Sequence, residues 1–296
     1  SVSRRYAVFA LMESMPIPPG ETVAIFVKPG HPGAPQLIQE VTGWLHQRGY
    51  QVTVAEAEGG IGAPLPAAGQ PPRLAIVLGG DGTMLHAAPA LARGHVPVLA
   101  VHLGTLGFMT ETARHDLFPA LERALAGTAL TDARMMLAVR VRRGGREVAS
   151  FLALNEAVVG KGALARLVQV DVWLDDHKVG RYRADGVLVA TPTGSTAYSF
   201  SAGGPVVHPA LPALLITPIC PHALNLRSIA VGADATIRLE PAGTEPGYLT
   251  VDGQQGLQLE PGDQVLCTKS AELLQILTLQ PDGFFQSLHS KLGWGL

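Results

Sequence analysis

Over the first 130 positions, short apolar runs alternate with longer amphipathic stretches. Val23 to Val27, Val52 to Ala55, Leu74 to Leu78 and Val98 to Val101 read as strands, while Ala34 to Arg48, Met84 to Arg93 and Asp116 to Ala126 read as helices. That alternation predicts a parallel, Rossmann-like sheet with helices on its faces. Beyond residue 130 strand patterns follow in quick succession: Met135 to Arg143, Glu147 to Leu154, Val168 to Leu174, Lys178 to Arg183 and Val187 to Thr191. Gly144-Gly145 and Asp175-Asp176 supply turn signals, so these strands are expected to pair antiparallel. Thr236 to Leu239, Leu249 to Val251, Asp263 to Cys267 and Leu273 to Leu279 extend the β-rich region, and a helix over about Phe284 to Leu292 closes the chain. The expected organisation is an α/β domain over 1–130, a β-rich domain over 131–280 and a C-terminal helix within 281–296. The Ala/Gly/Pro-rich stretch Glu58 to Pro72 predicts a long loop, and Tyr6 to Met12 a peripheral strand or helix.

Composition narrows the class. The 296 residues are 47% hydrophobic, enough for the cores of two domains. A net charge of −2 with dispersed basic residues argues against a nucleic-acid or anionic-membrane surface. Arg140, Arg142, Arg143 and Arg146 cluster around Gly144-Gly145, which predicts a solvated hairpin tip. Cys220 and Cys267 show neither disulfide-framework nor metal-ligand spacing, consistent with a reducing, cytoplasmic compartment. No run of eighteen apolar residues predicts a spanning helix, and Arg4-Arg5 with its short apolar sequel lacks the features of a signal peptide.

Two segments carry candidate chemistry. Gly79-Gly80-Asp81-Gly82-Thr83 follows an apolar run and precedes a helical one, an order that reads as strand, tight turn, helix. Such a turn presents backbone N–H groups at a helix N-terminus, where phosphate oxygens are favoured. It matches neither the Walker lysine loop nor the dinucleotide glycine pattern, and the alternative account makes Asp81 a helix N-cap. The second segment, Thr191 to Pro209, holds seven hydroxyl side chains among three glycines and three prolines. This composition suits a polar ligand, since hydroxyls both donate and accept hydrogen bonds. Asn155-Glu156, Asp185-Gly186 and Val251-Asp252-Gly253-Gln254 lie next to strand-like runs.

In this order, and with Lys291-Leu292-Gly293-Trp294 near the end, these motifs resemble those of bacterial NAD kinases over about residues 21 to 296. His102-Leu103-Gly104-Thr105-Leu106-Gly107-Phe108 varies slightly from the family's Gly-x-Leu-Gly-Phe form, with His102 and Thr105 at the variable places. The resemblance implies a two-domain architecture and transfer of the terminal phosphate of ATP, or polyphosphate, to the 2′-hydroxyl of the adenosine ribose of NAD, giving NADP. It implies that Asp81 is the catalytic aspartate, and that Gly79, Gly80, Gly82 and Thr83 shape the phosphate loop. NAD would be held by Asp81, Gly82, Asn155, Glu156, Arg166, Arg183, Asp185, Thr196, Ala197, Tyr198, Ser201 and Gln254, with Tyr198 as a stacking surface. The ligand would lie in a crevice touching both domains. Mg²⁺ is expected on the ATP phosphates with no dedicated protein cage, and the family's habit of self-association implies a homodimer or homotetramer. A cationic Arg183 would bias the choice between NAD and NADH. A lipid kinase shares the Gly-Gly-Asp-Gly turn but needs an apolar entry and not the Thr191 to Pro205 signature. A non-catalytic dinucleotide sensor would keep Asn155-Glu156 and Tyr198, yet nothing about an intact Asp81 predicts loss of transfer.

Overall fold

The computed structural model describes residues 12–28, 30, 32–56, 71–162, 167–223, 225–243, 246–280 and 283–294. The element expected over Tyr6 to Met12 lies almost wholly outside these residues, as does the loop expected over Glu58 to Pro72, of which only Pro71 and Pro72 are described. The chain divides into two compact units, one comprising the residues up to Arg134 and from Glu272 on, the other Met135–Ala271. Both divisions fall inside long strands, Leu130–Arg143 and Gln264–Thr278. Asp263 to Cys267 and Leu273 to Leu279, expected as separate strands, belong to one continuous strand. The polar stretch Lys269 to Glu272 between them breaks the apolar pattern without breaking the backbone.

In the first unit Gln51–Glu56, Thr22–Val27, Leu74–Gly79, Val98–His102 and the end of Gln264–Thr278 lie side by side in that order, all parallel. Leu74–Gly79 is central and buried along its whole length, which is why it reads as an unbroken apolar run. Helix α1 (Ala34–Gln47) buries Leu37, Val41 and Leu45, and helix α3 (Leu117–Ala126) buries Leu121 and Leu125, against one core that includes Ile25, Ile76 and Leu99. The chain leaves Thr22–Val27 toward Gln51–Glu56 on one side and continues to Leu74–Gly79 on the other. The carboxyl ends of Thr22–Val27 and Leu74–Gly79 therefore flank the point where strand order reverses, the usual ligand position in open α/β sheets. Gly79-Gly80-Asp81 stands there.

The second unit is antiparallel. Ile229–Gly232, Ala213–Ile219, Gly186–Ala190, Glu156–Lys161, Gly247–Val251 and Gln255–Leu259 form a six-stranded sheet in that order. Three of these strands, Glu156–Lys161, Ala213–Ile219 and Ile229–Gly232, carry no strand signal in the sequence reading. A second layer pairs His177–Ala184, Val168–Leu174, Ile237–Pro241 and the start of Gln264–Thr278. Val170, Val172 and Leu239 from that layer share one core with Val187, Val189 and Leu249 of the first. The hairpin of Leu130–Arg143 and Arg146–Ala153 turns at Gly144-Gly145, both at positive φ as a type I′ turn requires. Its arginines are not all solvated: Arg143 bonds both Asp263 oxygens at 2.8 Å and Glu260 at 2.6 Å.

Candidate active site

Asp81, Gly82 and Thr83 are not a turn ahead of the helix but the first turn of helix α2 (Asp81–Arg93), with Gly80 as N-cap. The Asp81 carboxylate does not cap its own helix. It reaches the backbone of the segment after Val98–His102: Phe108 N–H donates to Oδ2 at 2.8 Å, Met109 N–H and Thr110 N–H to Oδ1 at 3.2 and 3.3 Å, and the Thr110 hydroxyl to Oδ1 at 3.2 Å. Gly107 permits this approach, because a Cβ there would run into Asp81 Oδ1 and Thr110 Oγ1. Oδ1 thus has three donors and Oδ2 one, while the side chain is 28% exposed. The carboxylate is held in place with one lone-pair direction of Oδ2 still open to a hydroxyl donor. Lys291 Nζ, from helix α5 (Gly283–Leu292), lies 3.6 Å from Oδ2. Thr83 is buried and its N–H is donated to Gly80 O at 3.0 Å, so its expected contribution of a phosphate-facing donor is not available in this structure.

In the second unit a cavity of about 360 Å³ is lined by Glu156, Val158, Gly160, Lys161, Asp185, Tyr198, Ile219, Thr250 and Gly253. Three expected site residues, Glu156, Asp185 and Tyr198, converge on it. Glu156 is the most unusual of them. Its carboxyl accepts the Tyr198 N–H, while Oε2 is buried with no hydrogen-bond partner among the described residues. Burial, and secondarily the charge of Asp252, push its pKa up to about 8. The neighbouring Asp252 sits at φ 49° and accepts the N–H groups of Leu154, Asn155 and Glu156 at 2.7, 2.8 and 3.0 Å. Burial raises Asp252 to about 6 against these donors. Asp185 is paired with Lys161 at 2.7 Å, a lysine that the motif reading did not single out.

The remaining expected residues are dispersed. Asn155 is buried beside Glu156, with its carbonyl accepting Thr191 N–H at 2.8 Å. Gln254 follows Asp252 in the turn between Gly247–Val251 and Gln255–Leu259. Arg183 is exposed on His177–Ala184 and does not line the cavity, and Arg166 lies outside the described residues. The hydroxyl-rich segment divides by burial. Thr191, Thr193, Ser195 and Ser199 are buried. Thr191 Oγ1 donates to Leu154 O at 2.6 Å, Ser195 Oγ bridges Val207 O and N, and Ser199 bonds Thr217 at 3.0 Å. Thr191, Ser195 and Ser199 thus bond within the protein and hold the loop together. Of the expected residues here, Thr196 and Ala197 are half-buried, while Tyr198 (45% exposed) and Ser201, the two ends of the short helix α4 (Tyr198–Ser201), are exposed.

Among the described residues there is no group of three or more His, Cys, Asp or Glu able to hold a metal ion. No described helix is long and apolar enough to cross a membrane.

Residues 65–129 match the ATP-NAD kinase N-terminal domain and residues 154–279 the ATP-NAD kinase C-terminal domain. The chain is similar to the NAD kinase of Koribacter versatilis, with 45% identity over 93% of this chain and 99% of that one. It is likewise similar to the NAD kinase of Acidobacterium capsulatum, at 42% over 92% and 98%. Among solved structures, yeast NADH kinase complexed with NADH superposes with a TM-score of 0.82 at 26% identity, covering 95% of this chain and 89% of that one. An NAD kinase from Archaeoglobus fulgidus in complex with ATP shares the fold, with a TM-score of 0.70 at 24% identity over 89% and 96%.

Proposed function

The chain belongs to the NAD kinase family, and we propose that it transfers the terminal phosphate of ATP to the adenosine-ribose 2′-hydroxyl of NAD with Asp81 as the residue that orients that hydroxyl. The observation that carries this reading is the asymmetry of the Asp81 carboxylate: Oδ1 is occupied by three donors, whereas Oδ2 keeps an open acceptor direction. A hydroxyl donating to Oδ2 has its oxygen lone pairs turned away from the carboxylate and toward an incoming phosphorus. In a loose phosphoryl-transfer transition state, such alignment contributes more than early proton removal. The product is NADP, and the hydroxyl proton passes to Asp81 or to solvent as the new P–O bond forms and the bond to ADP breaks.

In the second unit Glu156 and Tyr198 are the groups that we assign to the nucleoside. The Glu156 carboxyl lines the cavity, where it suits a ribose hydroxyl, and an exposed tyrosine ring offers an aromatic face. Asp185, already paired with Lys161, is assigned to the nicotinamide end by family resemblance, and Gln254 and Asn155 to supporting contacts. Thr196, Ala197 and Ser201 of the hydroxyl-rich loop are assigned to the same ligand.

The surroundings of Asp81 do not suit a dedicated cation site, since its carboxylate already receives four hydrogen bonds and has Lys291 beside it. Mg²⁺ in this reading arrives on the ATP phosphates, where it neutralises charge on the leaving group. Polyphosphate as an alternative donor, a cytoplasmic location and a homodimer or homotetramer complete the proposal on family grounds. The charged lining of the Glu156 cavity disfavours a diacylglycerol acceptor. Arg183 is proposed to bias the choice between NAD and NADH, an idea abandoned if Arg183→Gly leaves the ratio of the two rates unchanged.

Phosphate transfer from Mg·ATP to NAD, read by an NADP-specific dehydrogenase, tests the main reading. Asp81→Asn is expected to lower kcat about a hundredfold or more. An unmodified chain that binds NAD yet forms no NADP would leave the dinucleotide sensor as the better account.

A further inference from the structure

The segment that holds Asp81 also meets helix α5. Ser287 Oγ donates to Gly107 O at 3.3 Å, one residue before the first of the N–H donors to Asp81. Glu111, one residue after the last of them, accepts Thr278 Oγ1 at 2.9 Å and shares a small cleft with Gly283 and Ser287 of the helix. Burial raises the Glu111 pKa against the opposing Thr278 hydrogen bond and Arg134 charge, with Asp132 and then Asp81 adding smaller upward pushes. The helix is therefore bonded to the segment just before residues 108–110 and shares a cleft with the residue just after them. From its last turn Lys291 returns to the same carboxylate, with Nζ 3.6 Å from Oδ2 and 4.9 Å from the centre of the Phe108 ring. Phe108 N–H reaches Oδ2 from the backbone at 2.8 Å while the lysine stands over the Phe108 ring, so both converge on the oxygen that faces the substrate.

The Nζ distance decides what this lysine can do. At 3.6 Å it is beyond ordinary N–H···O bonding but well within ion-pair range, so it attracts Oδ2 without occupying the lone pair that a hydroxyl would use. Nζ stands over the face of the Phe108 ring, which favours this position of the ammonium. We propose that Lys291 is a positioning residue for phosphoryl transfer: it fixes the Asp81 carboxylate rotation that leaves Oδ2 toward the acceptor hydroxyl. The proposal rests on Asp81 as the hydroxyl-orienting group and adds α5 to the machinery. Because Lys291 acts through Asp81 and not through the nucleoside, its removal acts on turnover and spares NAD affinity.

The experiment compares NADP formation by the unmodified chain, Lys291→Met, Lys291→Arg and Asp81→Asn, with thermal melting of each. Methionine keeps an unbranched side chain of similar reach and removes the charge, and this side chain is 30% exposed, so the variant is expected to fold normally. The expected result is a kcat for Lys291→Met lower by about tenfold or more, a KM for NAD within about twofold, an unchanged melting midpoint, and partial recovery in Lys291→Arg. A kcat loss smaller than about tenfold, a KM that rises in step with the kcat loss, no recovery by arginine, or a lowered melting midpoint would each overturn the proposal. Asp81→Asn separates the two readings. If it retains full turnover, the assignment of Asp81 itself is wrong, whereas if it collapses while Lys291→Met does not, only the role of Lys291 is lost.

Discussion

Asp252 Oδ1 accepts the Glu156 N–H at 3.0 Å, so two acidic residues 96 positions apart are fastened together at the edge of one cavity. The same carboxylate also takes the N–H groups of Leu154 and Asn155. Asp252 thereby sets the backbone of the Asn155-Glu156 motif and does not itself line the cavity.

Replacement of Asp252 by Asn tests that role. Asparagine tolerates the positive φ at this position, so the backbone is not the variable. With a single carbonyl oxygen it leaves at least one of three buried N–H donors facing an amide NH₂. The expected loss is about 1–3 kcal/mol, measured by urea denaturation, accompanied by a higher KM for NAD.

The raised pKa values of Glu156 and Asp252 make a second prediction. Glu156 goes from its ordinary 4.5 to about 8, and Asp252 from 3.8 to about 6. Between each pair of values the folded chain holds a proton that the unfolded chain has released, so raising the pH favours unfolding. Both groups make the protein most stable at the acid end of this window, and the contribution of Glu156 is lost as pH rises toward 8. Glu156→Gln, which resembles the protonated acid, is expected to flatten the fall in urea midpoint between about pH 5 and 8. An equally steep fall in the variant would count against a buried, protonated Glu156.

Gly107→Ala should act on turnover. The new Cβ enters the space of Asp81 Oδ1 and Thr110 Oγ1 and must displace the carboxylate. A displacement of about an ångström at such a group costs about a hundredfold in rate, so kcat is expected to fall by that order while KM for NAD changes little. Steady-state kinetics with NAD and Mg·ATP measure it.

For the hydroxyl-rich loop the telling variant is Ser195→Ala. Ser195 Oγ accepts Val207 N–H at 2.9 Å and donates to Val207 O at 3.1 Å, so its removal strands both groups in a buried position. A loss of about 2 kcal/mol in unfolding free energy is expected, against a near-neutral effect of Ser201→Ala at the surface.

The α/β half was legible because Thr22–Val27, Leu74–Gly79 and Val98–His102 are buried on both faces and α1 and α3 carry clear apolar stripes. The gaps in the β-rich half have particular causes. Ala213–Ile219 contains Pro218, which reads as a breaker, yet its neighbour Ile229–Gly232 ends opposite Ile216, so on that side no ladder bond is missing. Glu156–Lys161 is short and begins at a motif residue, so its strand character was hidden by its chemistry. The Gly-Gly-Asp-Gly motif announced Asp81 but not its partners, which lie 27 to 29 residues further on and meet it only through the parallel pairing of Leu74–Gly79 with Val98–His102. The hydroxyl-rich segment was legible as special, but composition does not distinguish hydroxyls that build a loop from those that meet a ligand. Burial does.

Within the Thr191–Pro209 segment, Ser195 and Val207 exchange donor and acceptor much as two residues of a β-ladder do, and Thr191 and Ser199 pin the remainder. The surface presented by Thr196, Tyr198 and Ser201 is therefore set before any ligand arrives. Association then loses little conformational entropy to ordering this stretch, and slow amide hydrogen exchange at Val207 in the ligand-free protein would be its signature.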